Sequence, residues 1–146
     1  MKAFRQVSCL VVLALLVMAG GCGKKGPPFL PEKSFHVQVS GLKAEWDGNY
    51  FLLSGRLSQP ERARGNVSGS RVYFGRYPLA DPPCETCPVE FHGYHGFGLE
   101  VIQGDEFFCR VPGKMKGHVY FFKVHLISME GTLGPASNQV RIAVKP

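Results

Sequence analysis

Val119-Tyr120-Phe121-Phe122-Lys123-Val124-His125-Leu126-Ile127 decides the architecture. Side chains alternate across an extended chain, so Tyr120, Phe122, Val124 and Leu126 share one face. Four apolar residues at period two describe a half-buried strand, not a helix. Working outward, Met129 to Pro135 turns the chain, and Gln139 to Val144 alternates again, with Val140, Ile142 and Val144 inward and Gln139 and Arg141 outward.

Upstream the pattern repeats. Leu42 to Trp46 is a strand candidate, and Asp47-Gly48-Asn49 signals a tight turn. Tyr50 to Leu57 follows, with Phe51, Leu53 and Leu57 on one face. Arg71 to Arg76 sets Val72 and Phe74 against Arg71 and Tyr73, and Leu99 to Ile102 and Phe107 to Val111 are shorter strands. No segment sustains a 3.6-residue period. About seven short strands in roughly 110 residues predict an all-β, two-sheet sandwich over residues 35–146. The core aromatics are Phe51, Phe74 and Phe122.

The end of the chain resembles a fibronectin type III domain. Tyr120 to Leu126, Gly131 and Gly134-Pro135-Ala136-Ser137-Asn138-Gln139-Val140 are similar to that family's Y-x-F-R-V-x-A … G … G-P-x-S-N-x-V pattern. The resemblance implies an immunoglobulin-like sandwich and makes Tyr120 a corner tyrosine, its hydroxyl bonded to backbone. The match departs on the second strand, where the family carries a core tryptophan. This chain has Gly55 there and its single Trp46 one strand earlier.

The opening of the chain speaks of address. Lys2 and Arg5 precede an apolar run of about 11 residues, Cys9 to Ala19, and then Gly20-Gly21-Cys22. A basic start, a short apolar core and small residues before a cut describe an export signal over residues 1–21. The run is too short to cross a bilayer, which takes roughly 20 residues. Cys22 just after the cut resembles a bacterial lipobox, which makes it the lipid-attachment residue. Ala19 stands where Leu is commoner, and Ala19 with Gly21 also suits ordinary signal peptidase. Cys22-Gly23-Lys24-Lys25-Gly26-Pro27-Pro28-Phe29-Leu30-Pro31 resembles the attachment signature C-G-x-K-G-P-L-x-x-P of small Gram-negative lipoproteins, departing at Pro28. That family includes an accessory of lipopolysaccharide export. By resemblance to enterobacterial lipoprotein sorting, Gly23, rather than Asp, after the cysteine implies the periplasmic face of the outer membrane. Residues 22–34 then form an extended, Pro-rich tether.

Composition bounds the rest. Removing residues 1–21 leaves 15 basic against 11 acidic residues, a charge near +4. That mild excess suits an anionic partner or surface and is no nucleic-acid signature. Cys84, Cys87 and Cys109 remain after Cys9 and Cys22 are accounted for. In an oxidising compartment an odd number predicts one disulfide and one free thiol. Cys84–Cys87 is the favoured bridge, with Cys109 to either partner as the competitor.

Cys84, Cys87, His92 and His95 also read C-x2-C-x4-H-x2-H, a possible zinc set of tighter spacing than usual. A haem or thioredoxin-like motif fails, because Pro88 follows the second cysteine and the context is strands. The other reading of His92 and His95 is a solvated loop through Gly93 to Gly98. No nucleophile elbow, H-E-x-x-H or phosphate-binding glycine loop occurs, and Asp47, Asp81 and Asp105 share no segment. The expectation is a non-enzymatic module without a cofactor, held to the membrane by lipid and contacting an envelope protein. Its expected contact face comprises Arg71, Tyr73, Phe121, Lys123, His125 and Arg141, basic with aromatics between.

Overall fold

Two antiparallel sheets face one another in the computed structural model, which describes residues 34–84 and 87–146. The expected signal, Cys22 and all of the tether before Ser34 lie outside the described residues. One sheet is built from β1 (Val39–Trp46), β2 (Tyr50–Leu57), β6 (Glu106–Pro112) and the short β5 (Ile102–Gln103), in the order β1-β2-β6-β5. The other runs β4 (Gly93–Phe97), β3 (Val67–Pro78), β7 (His118–Ser128). The far edge of β7 is shared by β8 (Leu133–Ala136) and β9 (Val140–Val144). A single turn of helix, α1 (Pro60–Ala63), links β2 to β3; proline opens it and Ala63 is buried.

Alternation fills the space between the sheets. Phe51, Leu53 and Leu57 of β2 meet Tyr120, Phe122, Val124 and Leu126 of β7, all buried as the period-two pattern requires. Phe51 sits 4.5 Å from Tyr120 and 5.0 Å from Phe122, ring centroid to centroid. The Tyr120 hydroxyl donates to the Met115 carbonyl at 2.9 Å, the corner bond expected of it. The β1–β2 hairpin turns where Asp47-Gly48-Asn49 sits. The Asp47 carboxylate accepts from the Asn49 and Tyr50 N–H groups, and those bonds lower its pKa.

Gly55 explains the missing tryptophan. It faces inward on β2, opposite Phe107 of β6, whose ring is fully buried. β1 bulges between Ser40 and Lys43 and crosses so close that a Cβ on Gly55 would stand 2.5 Å from Val39 Cγ1. Phe107 therefore supplies the aromatic bulk from the neighbouring strand. Trp46 lies at the end of the sandwich, 4.6 Å from Phe51, with its six-membered ring close against Gly113.

The Ser137-Asn138 pair divides the last edge strand into β8 and β9 and ties the sheets together. Ser137 exchanges bonds with Val124, while the Asn138 side chain accepts from Leu42 N–H at 2.7 Å and donates to Leu42 C=O at 3.0 Å. An amide side chain thus stands in for the ladder partner that the β1 bulge lacks.

Three expectations are corrected. Gly93 to Gly98 is no loop: residues 93–97 pair with β3 as strand β4. Leu99 to Ile102 is mostly a 3-10 turn, and only Ile102 and Gln103 join a sheet. Part of the expected final turn is β8.

Candidate binding face

The outer face of the five-stranded sheet carries the side chains that point away from the core. β3 contributes Arg71, Tyr73 and Tyr77; β7 contributes Phe121, Lys123 and His125; β4 contributes Tyr94; β9 contributes Arg141. The register sets them side by side: Tyr73 lies between Tyr94 and Lys123, and Arg71 between Gly96 and His125. Arg141 pairs with Phe121 on the other side of β7.

Tyr73 is the hub. Its ring centroid is 5.5 Å from Tyr94, 5.3 Å from His125 and 6.5 Å from Phe91. Two cations lie over the rings: Arg71 Cζ is 4.9 Å from the Tyr94 centroid, and Lys123 Nζ is 4.3 Å from Phe91 and 5.6 Å from Tyr73. Cation–π contacts of this kind contribute about 0.5–1 kcal/mol at exposed sites and hold the long side chains against the sheet. His125 Nδ1 lies 2.8 Å from the Gly134 carbonyl oxygen, which orients its ring. Among the strands of this sheet there are four cations, Arg71, Arg76, Lys123 and Arg141, and no Asp or Glu. The opposite sheet mixes signs, with Lys43, Glu45, Arg56, Glu106 and Arg110.

Phe121 does not stand open on this face, as the alternation had suggested, but is buried at 4% exposure. The connection from β3 to β4 folds back over it. Tyr77 packs edge-on to Phe121 at 5.8 Å, and the Tyr77 hydroxyl both donates to Glu90 C=O and accepts from Glu90 N–H, each at 2.9 Å. Gly75 makes room, since a Cβ there would lie 2.7 Å from Glu90 O. The same connection carries the Cys84–Cys87 disulfide, with Cα atoms 5.1 Å apart, so the favoured pairing is the one present. Cys109 is buried on β6, and burial pushes its thiol up to about 12. A thiol so placed stays protonated and unreactive.

The four residues of the zinc reading are not brought together. Both sulfurs are in the disulfide. His92 turns outward, 5.3 Å from Tyr77, and its Nδ1 accepts from Arg76 N–H at 3.0 Å. His95 turns inward and stacks on Phe74 at 5.1 Å. No group of three or more His, Cys, Asp or Glu side chains gathers among the described residues. Asp47, Asp81 and Asp105 remain apart, and Asp105 faces Arg64 at 3.5 Å.

Tyr94, Phe91 and Tyr77 belong to the face and were not anticipated. Seeing residues 93–97 as a strand would have put Tyr94 on the face opposite His95 by parity; its place beside Tyr73 comes from the pairing register.

No family model matches the chain, and no curated protein matches it. Solved structures do. The third fibronectin III domain of the human KIAA0343 protein is similar at 18% identity and a TM-score of 0.54, over 86% of this chain and 94% of that one. A myokine structure is similar at 12% identity and a TM-score of 0.50, over 77% of this chain and all of that one. At such identities the likeness speaks for fold alone. Together with the strand order, it makes the body an immunoglobulin-like, fibronectin type III-like sandwich.

Proposed function

We propose that this chain is a lipoprotein anchored through Cys22 to the periplasmic face of the outer membrane, and that its sandwich is a non-enzymatic binding or envelope-assembly module. The fold fits a protein-binding domain. The observation that carries the reading is the segregation of charge: one whole sheet holds cations and no carboxylates, and its outer face interleaves Arg71, Lys123 and Arg141 with Tyr73 and Tyr94. Arg and Tyr are favoured at the centres of interfaces. An unbalanced cationic face selects and steers an acidic envelope protein. Contacts to a single face need no cleft and no catalytic group.

The test is a cross-linking pull-down from intact envelopes with the triple variant Arg71→Glu, Lys123→Glu, Arg141→Glu. The partner captured by the unsubstituted chain is expected to be lost, with circular dichroism unchanged. Survival of the same partner removes the face from consideration. The anchor is tested separately by palmitate incorporation, present in the native chain and absent in Cys22→Ala; a native chain without label rejects it.

A further inference from the structure

Strand β4 ends the five-stranded sheet and, among the described residues, has a neighbour on one side only. Natural sheet edges are ordinarily blunted by lysine, proline or an inward charge. Gly93-Tyr94-His95-Gly96-Phe97 has none of these, and no charged residue or proline occurs from Phe91 to Leu99.

Alternation of the backbone tells which groups are open. Val124 exchanges its bonds with Ser137, so its N–H and C=O face the β8–β9 edge. Those of Lys123 and His125 therefore face β3, those of their partners Tyr73 and Arg71 face β7, and Val72 faces β4, where it meets His95. Tyr94 and Gly96 are left pointing their N–H and C=O groups to the free edge. Both flanks are already closed: His92 N–H donates to Phe74 C=O at 2.9 Å, and Gly98 N–H donates to Glu100 Oε1 at 2.9 Å.

We propose that β4 pairs antiparallel with β4 of a second copy of this chain, centred on His95. In that register Tyr94 of each copy lies opposite Gly96 of the other, and their backbone groups exchange hydrogen bonds. Phe97 lies opposite Gly93. Tyr94 and Phe97 each meet a glycine, and His95 meets His95. On the outer face a Cβ at Gly96 would touch nothing within 4 Å, so the opposing Tyr94 ring has room to lie over it. On the inner face the Phe74 ring already covers Gly93, and the incoming Phe97 abuts that ring. A two-residue slip would instead set Tyr94 against Tyr94 and Gly96 against His92, whose N–H is committed. No Asp, Glu, Lys or Arg stands on β4 itself, so the paired strands set no charged side chain directly opposite another, and Arg71 stays over the Tyr94 ring of its own chain. Tyr94, 52% exposed in the single chain, becomes covered. The pairing joins two basic-aromatic faces into one, and it holds whatever partner that face binds.

The test is a cysteine trap. His95 would form a non-hydrogen-bonded pair across the twofold axis, with Cα atoms about 4.5 Å apart, inside the reach of a disulfide, about 4.4–6.8 Å. The full chain carrying His95→Cys, treated with a mild oxidant in intact cells, is expected to run mostly at twice its mass on a non-reducing gel. Reductant should collapse the band. Arg110→Cys, exposed on β6, should stay at the background of the unsubstituted chain. Adding Gly96→Lys to His95→Cys should cut the trapped dimer at least tenfold. Sedimentation of the unsubstituted full chain in mild detergent, against Gly96→Lys alone, reads the same pairing without a new cysteine. No doubled band, a doubled band equally strong in Arg110→Cys, an adduct to a different protein, or a sedimentation coefficient indifferent to Gly96→Lys each overturns the proposal.

Discussion

Tyr120 and Cys109 show two ways in which a buried polar atom is accommodated. The Tyr120 ring fills the core while its hydroxyl reaches the Met115 carbonyl, so the loop before β7 is pinned by one bond. Tyr120→Phe keeps the ring and removes the bond. Urea denaturation should show a loss of about 1 kcal/mol, the usual net value of such a bond; an unchanged midpoint would mean that the bond adds nothing to stability. Cys109 has no such partner to ionise toward, and burial holds its pKa near 12. In the unfolded chain the thiol ionises near its ordinary value, about 8.5. Because the folded pKa is the higher, the contribution is fully present below about pH 8.5 and is lost as pH rises toward 12. Cys109→Val removes that alkaline limb. The stability difference between the two proteins should be flat from pH 7 to 8 and move in the variant's favour by about 2 kcal/mol at pH 10. A difference independent of pH would contradict the assignment.

Among the elements, β2 and β7 were legible from their side-chain period, because both bury one face and leave the other partly open. β4 was not. Glycine at 93 and 96 erases the apolar–polar alternation, and the strand is defined by its pairing with β3 instead of by its own pattern. β3 was found but shortened to Arg71–Arg76, since Ser68, Gly69 and Ser70 carry no apolar alternation to extend it. Gly69 is there because a Cβ would stand 2.3 Å from Phe97 O, a constraint imposed by a residue far along the chain. The cationic members of the candidate face were legible from parity. The burial of Phe121 was not, because it depends on the disulfide-bearing connection returning over β3. Gly55 is the sharpest case of such long-range dictation: β1 crosses directly above it. Gly55→Ala should cost about 1–3 kcal/mol by overpacking, although alanine is otherwise the better strand residue. A variant as stable as the parent would show that the β1 bulge yields freely.

At the scale of the whole molecule, the sandwich separates two tasks. The core between the sheets is built from Phe51, Phe107, Phe122 and the aliphatic residues around them, and nothing in it faces solvent. The strands of the two sheets differ in charge: one set mixes Lys43, Arg56 and Arg110 with Glu45 and Glu106, while the other carries only cations. In the proposed binding role, an electrostatic asymmetry of this kind steers the domain toward an acidic partner before contact is made. Site-specific photo-cross-linking in intact cells tests that orientation most directly, with the reactive side chain placed at Tyr73 in one full-length chain and at Ser54, exposed on β2, in another. The account predicts an adduct to one envelope protein from position 73 and none from position 54. The same adduct from both positions, or from position 54 alone, would contradict it.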